Sequence, residues 1–142
     1  MKTKLYVCII IMMLMFSQVL AVSAAESAKA DITVSAPTGA AAAVERSEQW
    51  LCDSAGLMMV SDLGQNTVLL NCLKITTTAA AGTTGDYTFG CAAVSAGMNV
   101  KTYAYNDFTG MWQEVACTVK AGSVTVNMDA ASNSNIAIIV VK

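Results

Sequence analysis

Residues Gly97 to Lys142 read GMNVKTYAYNDFTGMWQEVACTVKAGSVTVNMDAASNSNIAIIVVK, a series of short β-type runs separated by turn residues. Alternation of apolar and polar residues favours half-buried strands, and Gly, Asn and Asp between the runs favour tight turns. The runs predict four strands and a hairpin loop: strands at Val100–Tyr105, Trp112–Val119, Val124–Met128 and Ile136–Val141, and a loop at Asn106–Gly110. This stretch therefore predicts antiparallel β structure.

The last of these strands, Ile136–Val141, is apolar at every position. A strand without a polar face is typical of one that lies between other strands and is covered on both sides. Its place near the end of the chain also leaves open that it pairs with an exposed edge of another molecule. In the predicted strand Trp112–Val119, Cys117 is in step with Val115 and Val119, which predicts an inward thiol.

Strand signals continue upstream of this stretch. They predict strands at Asp31–Ser35, Gly56–Val60, Thr67–Thr78 and Asp86–Val94. The β-branched run Thr67–Thr78 has no cleanly polar face, so it is predicted to be buried on much of both sides. In Asp86–Val94, Tyr87, Phe89, Cys91 and Ala93 share one face. The chain thus contains about seven to nine strands, which predicts an all-β, antiparallel β-sandwich.

The segment Ala40–Cys52 is harder to interpret. It is rich in helix formers, which favours one short helix of two to three turns, but an irregular strand ending at Trp50 fits as well. Trp50 is predicted to anchor the core in either case. A tryptophan that stacks on a ligand is the alternative.

The N-terminus has the pattern of a secretory signal peptide. Lys2 and Lys4 precede an apolar run that starts at Leu5, and small residues at Val22–Ala25 satisfy the cleavage rule. We expect a signal peptide at 1–25, a disordered stub at 26–30 and a single β-sandwich domain at 31–142. An uncleaved anchor is the alternative, because the apolar segment is roughly long enough to span a bilayer. The expected localisation is secreted, either extracellular or at the cell surface.

Composition restricts the chemistry. From Glu26 onward the chain has six basic and ten acidic residues, a net charge of −4, which disfavours nucleic acid and anionic membranes. The sequence contains no His, so Ser-His-Asp and Cys-His catalytic sets are impossible. The acidic residues fall mostly in predicted turns. We therefore predict no enzyme, no catalytic residue, no cofactor and no metal; an oxygen-rich calcium site at Asn106, Asp107 and Asp129 is the weaker alternative.

Four cysteines follow the predicted signal peptide: Cys52, Cys72, Cys91 and Cys117. An even number in a chain that enters an oxidising compartment predicts two disulfides, with three possible connectivities. Four buried free thiols are the competing interpretation, because cysteine packs as a small hydrophobe. The wide spacings and the absence of His make zinc a poor third.

A set of residues in the C-terminal half matches a known pattern: Ala96, Gly97, Val100, Tyr103, Tyr105, Asn106, Asp107, Thr109, Gly110, Trp112, Val115, Val119, Gly122, Val124, Val126, Ile138 and Val140. This string resembles the immunoglobulin-like β-sandwich modules of secreted and surface proteins of Gram-positive bacteria. The resemblance implies an immunoglobulin-like fold and an extracellular location, but no substrate and no functional residue. The polar link Asp129–Asn135 and the four cysteines depart from those modules.

A shorter string, Thr83–Tyr87 with Phe89, is similar to the Thr-Thr-Gly-Tyr loop of chagasin-type cysteine-protease inhibitors, without the Asn-Pro pair that precedes it there. The sequence as a whole predicts a secreted, noncatalytic module that binds an extracellular protein or glycan, or associates with the cell envelope. A structural subunit that assembles by strand exchange is the alternative, and a protease inhibitor the third. Specificity is expected in the unmatched half, around Ala40–Gly85.

Overall fold

The structure is a computed structural model that describes residues 32–142. The predicted signal peptide, the predicted stub and Asp31 lie outside the described residues. The described part of the chain belongs to one compact unit and contains nine strands and one helix. The elements are β1 (Val34–Ser35), β2 (Ala42–Arg46), α1 (Gln49–Leu63), β3 (Thr67–Thr77), β4 (Gly85–Gly90), β5 (Val100–Asn106), β6 (Met111–Val115), β7 (Cys117–Lys120), β8 (Ser123–Met128) and β9 (Asn135–Val141).

The strands form two sheets with antiparallel pairing throughout. One sheet has four strands in the order β1-β4-β8-β7, and the other has five in the order β2-β3-β9-β5-β6. A layer of buried apolar side chains from both sheets lies between them, and α1 covers the outer face of the five-stranded sheet. The predicted all-β sandwich is confirmed. Within residues 32–142, no helix is both long and apolar enough to cross a membrane.

Strand β9 lies at the centre of the five-stranded sheet. It pairs with β3 on one side and with β5 on the other, so both of its edges are hydrogen-bonded within the chain. Ile136 and Ile138 point into the inter-sheet core, and Ala137 and Ile139 point toward α1. All four are 0% exposed. The prediction of a strand buried between others is confirmed, and strand exchange through β9 would require it to leave its own sheet.

The inter-sheet core is filled by inward-facing residues, which alternate along each strand with outward-facing ones. Tyr87 and Phe89 of β4 are fully buried, as are Val124 and Val126 on the neighbouring strand β8. The Tyr87 hydroxyl shares a hydrogen bond with the Thr77 hydroxyl, 3.2 Å away. This bond gives the buried polar tip of the ring a partner, as buried tyrosines require. The predicted common face is confirmed for Tyr87, Phe89 and Cys91, but Ala93 is exposed, because the strand ends at Gly90 and a turn follows it.

The segment predicted as one strand, Trp112–Val119, is two strands in different sheets. It breaks at Ala116, where the chain passes from β6 in the five-stranded sheet to β7 in the four-stranded sheet. Val115, Cys117 and Val119 nevertheless all pack against the same core. Because the inner faces of both sheets look toward one core, the alternation of residues continues through the crossing, and the sequence shows no break there. The inward position of Cys117 is confirmed.

The structure differs most from the sequence prediction in the segment Ala40–Val60. Ala42–Arg46 is a strand paired with β3, and the helix begins only at Gln49 and continues to Leu63, through the residues predicted as the strand Gly56–Val60. A short apolar run fits a buried helix as well as a strand, and the partner surface decides between them. Here the outer face of the five-stranded sheet packs against Cys52 and Ala55 of α1. The helix ends at Gly64, whose φ of 84° few other residues adopt.

The hairpin between β5 and β6 forms as the sequence predicts. The Asn106 side chain accepts hydrogen bonds from the amides of Phe108 and Thr109, at 3.0 and 2.9 Å. Gly110 has a φ of 67°. The Asp107 carboxylate binds the amide and hydroxyl of Ser134, which fixes the hairpin to the loop before β9.

Truncation at the centre of β9 should weaken the whole domain. We expect Ile138→Ala to lower the free energy of unfolding by about 2–5 kcal/mol, because it leaves a cavity between the sheets. Val68→Ala, at a position that is 37% exposed, serves as the control and should cost less than about 1 kcal/mol. Urea unfolding followed by circular dichroism measures both. Equal losses in the two variants would contradict the central role of β9.

Two glycines offer a test of the local packing. A Cβ at Gly85 would collide with the ring of Pro37, whereas a Cβ at the helical Gly56 would meet nothing within 4 Å. We expect Gly85→Ala to destabilise the protein by about 1–3 kcal/mol. Gly56→Ala should stabilise it by about 0.5–1 kcal/mol, because alanine loses less backbone entropy in a helix. Thermal unfolding distinguishes the two, and effects of the same sign would contradict this placement of Pro37 and α1.

Candidate binding surface

Three aromatic side chains meet where the first turn of α1 approaches the β5–β6 hairpin. The ring centroids of Trp50 and Tyr105 are 6.0 Å apart with an interplanar angle of 82°, and those of Tyr105 and Trp112 are 5.3 Å apart at 63°. Tyr105 and Trp112 are also direct partners across the β5–β6 pair. We call these three residues the aromatic cluster. Edge-to-face contacts of this kind each contribute roughly 0.5–1.5 kcal/mol beyond burial.

Trp50 is the exposed member of the cluster. Its side chain is 55% exposed, so the prediction that it anchors the core is wrong. The reason is its position on the helix: Leu51, Cys52 and Ala55 occupy the buried side of α1, and Trp50 lies on the flank that leaves the sheet. The helix was predicted within Ala40–Cys52, but it spans Gln49–Leu63. The predicted position therefore did not show which side of the helix Trp50 occupies. The alternative, a tryptophan available to a ligand, fits the exposure.

Further large apolar side chains are exposed near the cluster. Phe108, in the hairpin turn, is 85% exposed, and Met111, which precedes Trp112 on β6 and lies on the opposite face of the sheet, is 62% exposed. Leu57 is 75% exposed and lies two turns after Trp50 on the same side of α1. Isolated exposed apolar residues are normal, but several near one another are typical of an interaction site.

Polar side chains border Trp50. The Trp50 indole N–H donates to the Glu48 carboxylate, and Arg46 donates to the Gln49 side-chain oxygen at 2.8 Å. Gln49 in turn donates to the Asp53 carboxylate, also at 2.8 Å. These polar residues are exposed, so Trp50 has a polar border that carries two carboxylates and one guanidinium.

Trp112 connects the cluster to the helix. Its indole N–H donates to the Ser54 hydroxyl at 3.1 Å, which joins β6 to α1. Ser54 lies one turn after Trp50 on the helix. The cluster is therefore held from both sides, by cross-strand pairing within the hairpin and by this bond to α1. A surface held in this way loses little conformational entropy when a partner binds.

All four cysteines in the described part of the chain are free thiols, so the predicted pair of disulfides is not present. Cys52 and Cys72 lie together between α1 and the outer face of the five-stranded sheet. Cys91 and Cys117 lie on the other side of that sheet, in the inter-sheet core. Any bond between the two groups would have to cross the sheet.

Cys91 and Cys117 are also far from each other. The Cys91 amide donates to the carbonyl of Gly122, at the start of β8, whereas Cys117 pairs with Val126, four residues further along. Four residues of strand span about 13 Å, but a disulfide requires Cα atoms about 4–7 Å apart. Their thiols have other partners: Asn71 donates to the Cys91 sulfur at 3.4 Å, and the Cys117 thiol donates to the Val100 carbonyl at 3.5 Å.

Cys52 and Cys72 belong to a buried polar group around Ser47. The Ser47 amide donates to the Cys72 carbonyl at 3.0 Å, and the Cys52 thiol donates to the Ser47 carbonyl at 3.6 Å. The Ser47 hydroxyl donates to the Asn135 side-chain oxygen at 2.7 Å. Burial raises the pKa of the Cys72 thiol to about 12, against the lowering effect of its hydrogen bond with Ser47. Burial also raises the pKa of Cys91. Neither thiol is ionised at neutral pH, so neither is an activated nucleophile.

The loop carboxylates of Asp107 and Asp129 accept hydrogen bonds from backbone amides. Burial alone would raise the pKa of Asp129, but hydrogen bonds from Ser132, Gly82 and Ala131 hold it below its usual value. Asp107 binds Ser134 as described above. Among residues 32–142, no group of three or more His, Cys, Asp or Glu side chains is arranged to hold a metal ion. The carboxylates proposed as the calcium alternative therefore already have hydrogen-bond partners in the fold.

The string that is similar to a protease-inhibitor loop does not form an accessible loop as a whole. Tyr87 and Phe89 are 0% exposed and lie in the inter-sheet core. Asp86 pairs within the sheet opposite Asn127, whose side chain donates to its carboxylate at 2.7 Å. The two aromatic residues of the string are therefore core residues.

Comparison with protein-family models, with curated proteins and with solved structures gives no match to this chain. The resemblance to immunoglobulin-like modules of Gram-positive bacteria therefore remains a prediction. What the structure shows is the coarser statement, a two-sheet antiparallel β-sandwich with one helix in residues 32–142.

The sequence predicted the hairpin part of this surface correctly but not the helical part. The hairpin at Asn106–Gly110 was predicted in place, and Tyr105 and Trp112 flank it symmetrically, which is the pattern of a cross-strand aromatic pair. The contribution of Trp50 was missed, because it depends on where α1 begins and on which sheet face the helix covers. The spacing of Trp50, Ser54 and Leu57 is the sequence signal for their shared helical side.

The raised pKa of Cys72 predicts an alkaline weakening of the reduced protein. The folded state keeps the Cys72 proton above pH 9.0, where the unfolded thiol releases it, so stability present below pH 9.0 is lost as the pH rises toward about 12. We expect the free energy of unfolding to fall by at most about 1.4 kcal/mol per pH unit from this thiol. Urea titrations of reduced wild type at pH 8 to 11 measure the fall. Cys72→Ala should reduce it and Cys117→Ala should not; identical slopes in all three proteins would contradict the prediction.

Proposed function

We propose that this chain is a secreted, noncatalytic β-sandwich protein that binds an extracellular or cell-envelope protein through the aromatic cluster and the adjacent hairpin. The observation that carries the proposal is the exposure of Trp50 and Phe108 beside the fixed pair Tyr105 and Trp112. The signal-peptide pattern at 1–25 supports secretion.

The residue types favour a binding surface. Trp, Tyr, Phe and Met are enriched at protein interfaces, and Trp and Tyr are the commonest residues at positions that dominate binding energy. Here Trp50, Tyr105 and Trp112 meet in the aromatic cluster, and Phe108 lies in the hairpin turn that joins β5 to β6. Two of them are held by packing within the fold, which lowers the entropy lost on binding.

The ring geometry favours a protein over a linear glycan. Sugar rings stack on aromatic faces, and a flat run of sugars on one platform uses ring faces that lie nearly in one plane. The angles in the cluster are 82° and 63°, so adjacent rings present an edge beside a face. Such an uneven surface, extended by the apolar side chains of Phe108 and Leu57, fits the pockets of a protein partner better. A single sugar stacked on Trp50 is the glycan alternative.

Charge indicates the character of the partner's rim. Glu48 and Asp53 lie beside Trp50 with one cation, Arg46, so the border has a net charge of −1, and the predicted mature chain has a net charge of −4. Complementary charge steers association and suppresses wrong partners more than it adds affinity. We therefore expect a partner surface with an apolar centre and Lys or Arg residues around it.

The test begins with site-specific capture. A photo-crosslinking amino acid at position 108 should trap a partner from envelope and culture-medium extracts of the source cell. The same probe at position 98 is the control, because Met98 is 39% exposed but lies before β5, at the end away from the hairpin. A product formed at 108 and not at 98 identifies the partner for affinity measurements.

With the partner identified, calorimetry measures the effect of truncation. Trp50→Ala and Phe108→Ala should each weaken binding about 30-fold, the effect of losing a side chain that dominates the interface. Met98→Ala should leave affinity within about twofold, and unchanged circular dichroism would show that all three variants fold. Equal capture at 108 and 98, or full affinity after both truncations, would overturn the proposed surface. Glycan-array binding that Trp50→Ala abolishes would transfer the function to the glycan alternative.

A further inference from the structure

Cys52 and Cys72 are buried together between α1 and the five-stranded sheet, and the proposed binding function involves neither of them. Cys52 lies in the first turn of α1 on its buried side, and Cys72 lies in β3 on the sheet face that the helix covers. The two residues belong to one buried cluster, and both bond Ser47: the Cys52 thiol donates to the Ser47 carbonyl, and the Cys72 carbonyl accepts from the Ser47 amide. We propose that Cys52 and Cys72 form the only intramolecular disulfide among residues 32–142, a bond that joins α1 to β3 when the chain folds in an oxidising compartment.

The local backbone brings these residues together. The last residue pair of β2 and β3 is Arg46 with Leu73, and the Ser47 amide then bonds the Cys72 carbonyl at 3.0 Å. The chain turns into α1 directly afterwards, and the helix returns Cys52 to within 3.6 Å of the Ser47 carbonyl. A junction of only two residues between β2 and α1 therefore fixes the start of the helix above Cys72.

The position of the other two thiols makes the pairing selective. Cys91 and Cys117 lie across the five-stranded sheet from Cys52 and Cys72, and about 13 Å of strand β8 separates their own attachment points, Gly122 and Val126. Of the three connectivities that four cysteines allow, each needs at least one bond that this fold cannot form. One bond and two free thiols is the arrangement compatible with the structure.

The chemistry needs an external oxidant, which we identify as a disulfide, either that of a thiol oxidoreductase or oxidised glutathione. One cysteine thiolate attacks the oxidant's disulfide, and a mixed disulfide and one reduced thiol result. The second cysteine then attacks the mixed disulfide, forms the Cys52–Cys72 bond and releases the second thiol. Two S–H bonds are lost in the protein, and the two electrons and two protons pass to the oxidant. Because both thiols are buried in the folded state, oxidation should occur mainly while the chain folds.

The bond would act on the helix that carries Trp50. It closes a loop from Cys52 to Cys72 that contains all but the first turn of α1, the turn at Gly64 and the first part of β3. Closing a loop of this length restricts the unfolded chain and should raise the thermal midpoint by about 10 °C relative to the reduced protein. It also keeps the N-terminal end of α1 against the sheet, where the aromatic cluster forms.

The test is disulfide mapping after refolding. Reduced, unfolded protein that spans residues 26–142 is refolded with a mixture of reduced and oxidised glutathione, then denatured and treated with iodoacetamide without reduction. Peptide mass spectrometry should show Cys52 linked to Cys72, and Cys91 and Cys117 alkylated. Alkylation of all four residues, a different intramolecular link, or glutathione retained on both Cys52 and Cys72 would overturn the proposal.

Two variants guard against misfolding of the wild type or of a single mutant. The double variant Cys91→Ala, Cys117→Ala contains only the proposed pair and should refold with no free thiol. Cys52→Ser should refold with three alkylated cysteines and with the same thermal midpoint in the presence and absence of reductant. If the double variant keeps two alkylated thiols after oxidative refolding, the proposal is wrong even where the wild type gives a heterogeneous map.

Discussion

Strand β9 carries the constraint on which the rest of the domain depends. It pairs along both edges, with β3 and β5, and both of its faces are covered. Ile136 and Ile138 enter the core between the sheets, while Ala137 and Ile139 meet α1. A strand with no exposed edge or face can be apolar throughout. Its position determines where the neighbouring strands, the facing sheet and the helix pack. The helix and the four-stranded sheet pack on opposite sides of this one strand.

This arrangement explains how the candidate surface forms at the end of the five-stranded sheet. The pairing of β5 with β9 places Tyr105 opposite Asn135, next to the loop that Asp107 holds through Ser134. Beyond that point the hairpin projects with Phe108, and no strand of residues 32–142 covers it. The outer face carries Trp112, which bonds α1 through Ser54. The cluster therefore occupies the place where the sheet ends and the helix begins, where apolar side chains are only partly covered.

The same junction creates the thiol pair. The chain passes from β2 to α1 through Ser47 and Glu48, and the Ser47 hydroxyl binds the buried side chain of Asn135 on β9. This buried hydrogen bond fixes the register of the junction against the central strand, because a slip would leave polar groups without partners. With the junction fixed, Trp50 and Cys52 take opposite sides of the helix, one toward solvent and one toward the sheet. The position of Trp50 in the aromatic cluster and the position of Cys52 beside Cys72 thus both depend on the two-residue connection between β2 and α1.

The sequence by itself determined the local features whose causes are local. The hairpin at Asn106–Gly110 follows from turn residues, the strand at Thr67–Thr77 from β-branched residues, and the inward face of β4 from alternation. These signals predicted the sandwich. Only the tertiary structure decided the extent of α1, because the apolar residues of Gly56–Val60 fit a helix or a strand until a sheet face is present to receive them.

Tertiary structure likewise decided which side chains form sites. Nothing in the residue pattern indicates that the strand predicted at Trp112–Val119 changes sheets at Ala116, since one core receives the inward residues on both sides of the crossing. The sequence allowed three cysteine connectivities, and the five-stranded sheet separates the thiols into two groups that cannot meet. The exposure of Trp50 was decided in the same way. Contacts between segments far apart in the chain are set by which faces cover one another, and residue order alone does not contain that information.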